Sequence, residues 1–138
     1  MSIQQTLTTS FKQQILLGEH NLATDTIKLA LYTAFANLGD DTQVYDTANE
    51  VVGTGYTAGG QTMTGVTVST NGKTAFVDFD DVQWVGANFT ARGGLLYNAS
   101  KGNKSIAVVN FGSDKTCTTT FTVQMPANTA QSALLRIK

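Results

Sequence analysis

In the stretch TIKLALYT, residues 26–33, Ile27, Leu29 and Leu31 fall on one side of an extended chain and Lys28, Ala30 and Tyr32 on the other. A period of two belongs to a β-strand, whose successive side chains point to opposite faces. The alternation returns in MTGVTVS with Val66 and Val68, in TAFVDFD with Ala75, Val77 and Phe79, and in DVQWV with Val82 and Trp84. It returns again around Leu95 and Tyr97, in KSIAVVNF, in TTFTVQM with Phe121, Val123 and Met125, and in ALLRIK with Leu135 and Ile137. Turn signals at Asn71-Gly72, Gly93-Gly94 and Lys101-Gly102-Asn103 separate these runs, and Pro126 is expected to end the Phe121 strand. Short strands at nearly regular spacing, with no long helices between them, predict an all-β chain: an antiparallel β-sandwich or barrel of jelly-roll-like kind.

One segment departs from this period. Leu7, Phe11 and Ile15 recur every four residues, Ser10 and Gln13 form a capping-box pattern, and Gly18 can stop a helix, so a short N-terminal helix is expected over about 10–18. With 138 residues the chain has room for one domain with a real core. The stretch AFANLGDDTQVYDTANE lacks periodicity and runs into EVVGTGYTAGGQTMTG, where five glycines surround Tyr56. Together they predict a long glycine-rich loop or arm over about 35–62, and a loop of that length is usually functional or fixed by a partner.

That glycine cluster is not a nucleotide loop. A dinucleotide fingerprint needs its glycines between a strand and a helix, whereas GTGYTAGG leads into another strand pattern. A phosphate-binding loop needs Gly-Lys-Ser/Thr, and no lysine follows until Lys73. His20 is the only histidine and Cys117 the only cysteine. Neither an internal disulfide nor a multi-cysteine metal cage can form, and no nucleophile-elbow motif offers His20 a serine. Asp40, Asp41, Asp78, Asp80 and Asp81 could in principle supply paired carboxylates for glycoside cleavage or hold calcium, but no EF-hand spacing appears, and solvated turn carboxylates are the ordinary reading.

Nine basic against ten acidic residues, with no basic run, give a phosphate backbone nothing to hold, so no nucleic-acid partner is expected. No apolar stretch is long enough to cross a bilayer, and MSIQQTLTTSFKQQ lacks the features of a signal peptide. Synthesis in a cytoplasm is therefore expected, and the N-x-S/T matches at Asn88, Asn98 and Asn103 read as chance. No catalytic set, cofactor or metal is expected.

Four stretches taken together, FKQQILLGEH, IKLALYTAFANLGDDTQVYDTANEVVGTGYTAGG, VDFDDVQWVGANFTARGGLLYN and VVNFGSDKTCTTTFTVQMP, resemble a family of small virion structural proteins of tailed bacteriophages. The resemblance runs from about Phe11 to the C-terminus. It implies a non-enzymatic subunit of the virion, made in the host cytoplasm. The preferred place is the capsid surface, as a decoration or cement protein that bridges capsomers of the major capsid protein, with a homotrimer as the expected oligomer. The family carries no catalytic residues to transfer. On this reading Tyr45 and Tyr56 of the arm are the expected partner anchors, or else they cover the end of the core. Phe11, Ile15 and Leu16 of the helix form a second contact. The alternatives are a tail or head-tail connector component, or a glycan-binding module displaying Trp84, Tyr56 and Asp81.

Overall fold

The computed structural model describes residues 3–124 and 135–137. The strands are β1 (Thr6–Leu7), β2 (Ile27–Tyr32), β3 (Gln61–Thr62), β4 (Thr67–Asn71), β5 (Thr74–Asp78), β6 (Val82–Val85), β7 (Phe89–Asn98), β8 (Lys104–Cys117), β9 (Thr120–Val123) and β10 (Leu135–Ile137), with one helix, α1 (Thr9–Leu16). They form a five-stranded sheet in the order β1-β8-β7-β2-β3, a three-stranded sheet β10-β5-β4 and a ribbon β6-β9. Every named pairing is antiparallel. The chain is an all-β sandwich with one short helix, as the alternation predicts. Pro126 and Met125 lie outside the described residues, as does the side chain of Ile137.

The centre of the five-stranded sheet, along β2 and the adjoining halves of β7 and β8, is buried on both faces. Ile27, Leu29 and Leu31 of β2 join Val77, Trp84, Phe121 and Phe11 in the larger core, where the sheets and the helix meet. Ala30 and Tyr32, one residue out of phase, join Leu95, Tyr97 and Val108 in a second core together with Ile3, Ala36 and Leu38. The second face of β2 is thus as dry as the first, and segment 33–50 covers it. Each large apolar side chain removed from water in this way contributes about 1.5–3 kcal/mol before chain entropy is counted.

Two local expectations are corrected. Gly93-Gly94 is not a turn but the middle of β7, opposite Asn110 and Val109 of β8 and Tyr32 and Leu31 of β2. A Cβ on Gly93 would meet the Val109 carbonyl oxygen at 2.5 Å, and one on Gly94 would meet Leu29 Cδ1 at 2.9 Å. The glycines let backbones approach closely beside the register shift between Ala91 and Gly93. The helix is capped by Thr8 rather than Ser10: Thr8 Oγ1 accepts the Phe11 N–H at 3.3 Å, while the Ser10 hydroxyl meets Ser105 Oγ at 3.3 Å. Gly18 follows the C-cap residue Leu17 with φ of 73°, as a helix stop should.

Of the expected loop or arm over 35–62, the structure has a loop up to β3. The segment is a run of turns docked on the sheet, tied down by main-chain bonds from Thr33 N–H to Asn49 O (3.0 Å), Val51 N–H to Leu31 O (2.9 Å) and Tyr45 N–H to Asn103 O (2.9 Å), and by β3.

Candidate functional site

The docked segment is organised around one carboxylate. Glu50 bridges Tyr32 at the end of β2, and its side chain is buried, 7% exposed. Glu50 Oε1 accepts the Tyr45 hydroxyl at 2.6 Å; Oε2 accepts the Tyr56 hydroxyl and the Gly59 N–H, the latter at 2.8 Å. The Tyr56 oxygen in turn accepts the Leu31 N–H at 2.9 Å, extending the edge that β3 leaves open. Tyr97 donates to the Gly59 carbonyl at 2.6 Å and stacks on Tyr45 with ring centroids 4.7 Å apart. Tyr32 donates to the Asp46 carbonyl at 2.5 Å. All four tyrosines of the chain therefore converge on Glu50 and the loops that carry it.

A carboxylate inside a protein must be hydrogen-bonded, and three donors accomplish that here. Burial, reinforced by the Glu50 charge, pushes Tyr97 up to about 12 and raises Tyr32, Tyr45 and Tyr56 further. Tyr45 and Tyr56, the expected partner anchors, have their hydroxyls committed to Glu50, and the Tyr56 ring packs against Trp84 and Phe89. They act within the chain. Glycine answers a geometric need at this point: Gly60 has φ of 79°, and a Cβ there would collide with the Leu29 carbonyl. Glu50, Tyr32 and Tyr97 were not singled out by sequence reasoning. The available signal was a lone glutamate opening a glycine-rich loop, with tyrosines on the back face of two strand patterns.

The helix residues divide differently. Phe11 is buried in the larger core and Ile15 packs against it, so both are committed internally; Leu16 is 88% exposed and its neighbour Leu17 66%. Ile15 and Gly18, which bracket these leucines, line an apolar groove of about 410 Å³ between α1 and the three-stranded sheet. Leu7, Phe11, Leu22, Val77 and Leu135 line it too, and so does Val68 on β4, itself 57% exposed.

His20 also lines this groove. Its Nε2 lies 2.8 Å from Gln14 Oε1 and its Nδ1 3.0 Å from Asn98 Nδ2. Asn98, at the end of β7, also donates to Asp25 Oδ2 at 2.8 Å, and its Oδ1 accepts the Ser100 N–H at 3.0 Å. An amide oxygen only accepts and an amide nitrogen only donates, so the imidazole is neutral with its hydrogen on Nε2. Burial lowers the His20 pKa below its ordinary 6.5, with Lys104 adding to the effect. For Asp25 burial alone acts upward, but the Asn21 N–H, the Asn98 amide and Lys101 outweigh it and hold the carboxyl below 3.8. No serine or other nucleophile meets the imidazole in these bonds, so the corner is a structural junction. The buried Asn98 side chain also fits the reading of its N-x-S/T match as chance.

The remaining candidates stay apart. Trp84 is 1% exposed, stacked on Tyr56 and meeting Phe121 edge to face, so it offers no platform for a sugar, and the glycan-binding alternative loses its main residue. Asp40, Asp41, Asp80 and Asp81 are exposed, and Cys117 is buried opposite Phe89. Among the described residues no group of three or more His, Cys, Asp or Glu side chains is placed to hold a metal, and no helix is long and apolar enough to cross a membrane. Compared with known proteins, the chain matches no family model, no curated protein and no solved structure.

Proposed function

We propose that the chain is a non-enzymatic structural subunit of a tailed-phage virion: a capsid decoration protein that binds the major capsid protein as a homotrimer and bridges neighbouring capsomers. The observation that carries this reading is the apolar surface around α1. Leu16 and Leu17 stand in solvent beside an apolar groove, and Val68 faces the same groove from β4. Exposed apolar groups gathered around a groove mark a surface that another molecule covers. The stretches that resemble small virion proteins supply the class of that molecule, and the low charge of the chain suits a hydrogen-bonded, wet interface. The contact moves accordingly from Tyr45 and Tyr56 to Leu16, Leu17 and Val68.

A body of this kind needs no chemistry, because it strengthens a shell by the area it buries across a seam. The test is the copy number of the chain in purified virions, by quantitative mass spectrometry against the major capsid protein. A ratio comparable to the capsid protein is expected. A ratio lower by about an order of magnitude or more would place the subunit in the tail or connector, where a ring of few copies surrounds one axis. Absence from virions would overturn the reading altogether.

A further inference from the structure

We propose that His20 is an acid-operated latch: as a neutral imidazole it fastens α1 to the corner where β7 passes into β8, and a second ring proton releases the helix and opens the groove that the helix walls. The inference starts from the hydrogen bonds. The ring is 6% exposed, its Nε2–H donates to Gln14 on α1, and its Nδ1 accepts from Asn98 at the end of β7. The imidazole is therefore a two-ended tie between the helix and the sheet. It works only while one nitrogen donates and the other accepts.

A proton added at Nδ1 would point an N–H at the Asn98 N–H. Asn98 cannot answer by turning its amide over. Its Oδ1 holds the Ser100 N–H at the start of the 3₁₀ turn Ala99–Lys101, and its Nδ2 holds Asp25 Oδ2. A reversed amide would face the Asp25 carboxylate with oxygen and leave the Ser100 N–H uncapped. The imidazolium thus has no acceptor in the folded corner, and relief requires the ring to leave.

The charged groups facing the ring are Glu19 after α1, Asp25 before β2, Lys101 in the 3₁₀ turn and Lys104 at the start of β8. Lys104 is paired to Glu19 at 2.5 Å, and Lys101 stands 4.0 Å from Asp25. The acids favour a ring proton and the lysines oppose it, so with the charges paired off, burial decides. The helix itself is eight residues long, too short to persist without its ties. It also carries Phe11, whose ring lies 5.0 Å from the imidazole and which lines the groove. Releasing α1 therefore exposes groove and core surface together.

The latch predicts a specific pH response. In the opened state the imidazole regains its ordinary value near 6.5, so below that pH the opening equilibrium rises by up to about tenfold per pH unit until the folded midpoint is reached. The chain has one histidine, so proton NMR reads its midpoint from a single imidazole. A midpoint below 6.5 is expected, with amide exchange of residues 9–17, corrected for intrinsic chemistry, accelerating as the pH falls from 7 to 5. In His20→Gln that acceleration should vanish. Should His20→Gln fail to fold, Gln14→Glu gives the ring proton a carboxylate partner; the midpoint should rise toward 6.5 and the acid acceleration of α1 exchange should shrink, because the window between the opened and folded values narrows. A wild-type midpoint at or above 6.5, an unchanged acceleration in His20→Gln, or exchange that ignores the shifted midpoint in Gln14→Glu would each overturn the latch.

Discussion

The two ends of β2 solve one problem in opposite ways. At Tyr32 a buried carboxylate, Glu50, is surrounded by groups that can only donate to it, and every tyrosine of the chain is drawn into or beside that cluster. At Ile27, paired with Asn98, the polar group is an imidazole whose two nitrogens must play different roles, and the helix it ties leaves Leu16 and Leu17 in solvent. The first arrangement satisfies its carboxylate with donors alone, although Val52, two residues on, is 95% exposed. The second is the one we propose to be switched by a proton, and its imidazole lines an apolar groove. The sealed cluster and the proposed latch thus stand at opposite ends of one strand.

The largest expected effect is at the sealed end. Glu50→Ala leaves the Tyr45 and Tyr56 hydroxyls and the Gly59 N–H without their acceptor in a buried site, and should cost about 3–5 kcal/mol in urea unfolding. Glu50→Gln keeps the shape but turns an amide N–H toward a donor, so about 1–3 kcal/mol is expected. If Glu50→Ala cost less than about 1 kcal/mol, the carboxylate would not organise the segment and the contrast would fail. Gly60→Ala comes next. Its φ of 79° disfavours a side chain and its Cβ would strike the Leu29 carbonyl, so about 3 kcal/mol of strain and overpacking is expected from the same measurement.

These two residues also show where sequence reading reaches its limit. The strands were legible because each needs only local alternation: Ile27, Leu29 and Leu31 announce a face whatever lies across from it. The Asn71-Gly72 signal was sound for the same reason, since β4 and β5 close directly over Gly72 and Lys73. Gly93-Gly94 misled because a glycine pair reads alike in a turn and where backbones crowd, and only the Val109 and Leu29 contacts tell them apart. Ser10 misled because Ser105, 95 residues away, takes its hydroxyl while Thr8 caps the helix. Glu50 was invisible because its role comes from Tyr45, Tyr56 and Gly59, which no periodicity connects to it. The candidate contacts divided likewise. Leu16 stayed outside because helix spacing puts it off the buried face, whereas Tyr45 and Tyr56 went inside because an acceptor waited there.

Smaller but more discriminating is the dependence on pH, where the two ends should fail at opposite limits. Folded tyrosines titrate above their ordinary value of 10, so above pH 10 the unfolded chain loses protons first. Their contribution is complete below pH 10 and declines as the pH rises toward the folded values, which for Tyr97 means about 12. His20 and Asp25 are depressed, so their contributions are complete above 6.5 and 3.8 respectively and decline as the pH falls below each. Unfolding midpoints measured from pH 4 to 11 should fall at both ends. Tyr45→Phe should flatten the alkaline limb alone, and His20→Gln the acid limb alone. A variant that altered both limbs equally would mean the two regions are coupled through β2.

The smallest effect on stability should carry the largest effect on assembly. Leu16 touches water over most of its surface, so Leu16→Ser should move the unfolding midpoint by no more than about 0.5 kcal/mol. Phe11→Ala, five positions back on the same helix, removes a buried ring and should cost about 3–5 kcal/mol. An exposed leucine that gains its burial only against a partner contributes to binding instead, and losing about 1.4 kcal/mol there weakens association tenfold. Folded Leu16→Ser protein should therefore compete poorly with the unaltered chain for undecorated capsids, by about tenfold in a mixed-labelling assay. Equal occupancy by the two chains would show that the groove rim is not the contact, and would leave the open end of β2 with a switch but no surface for it to control.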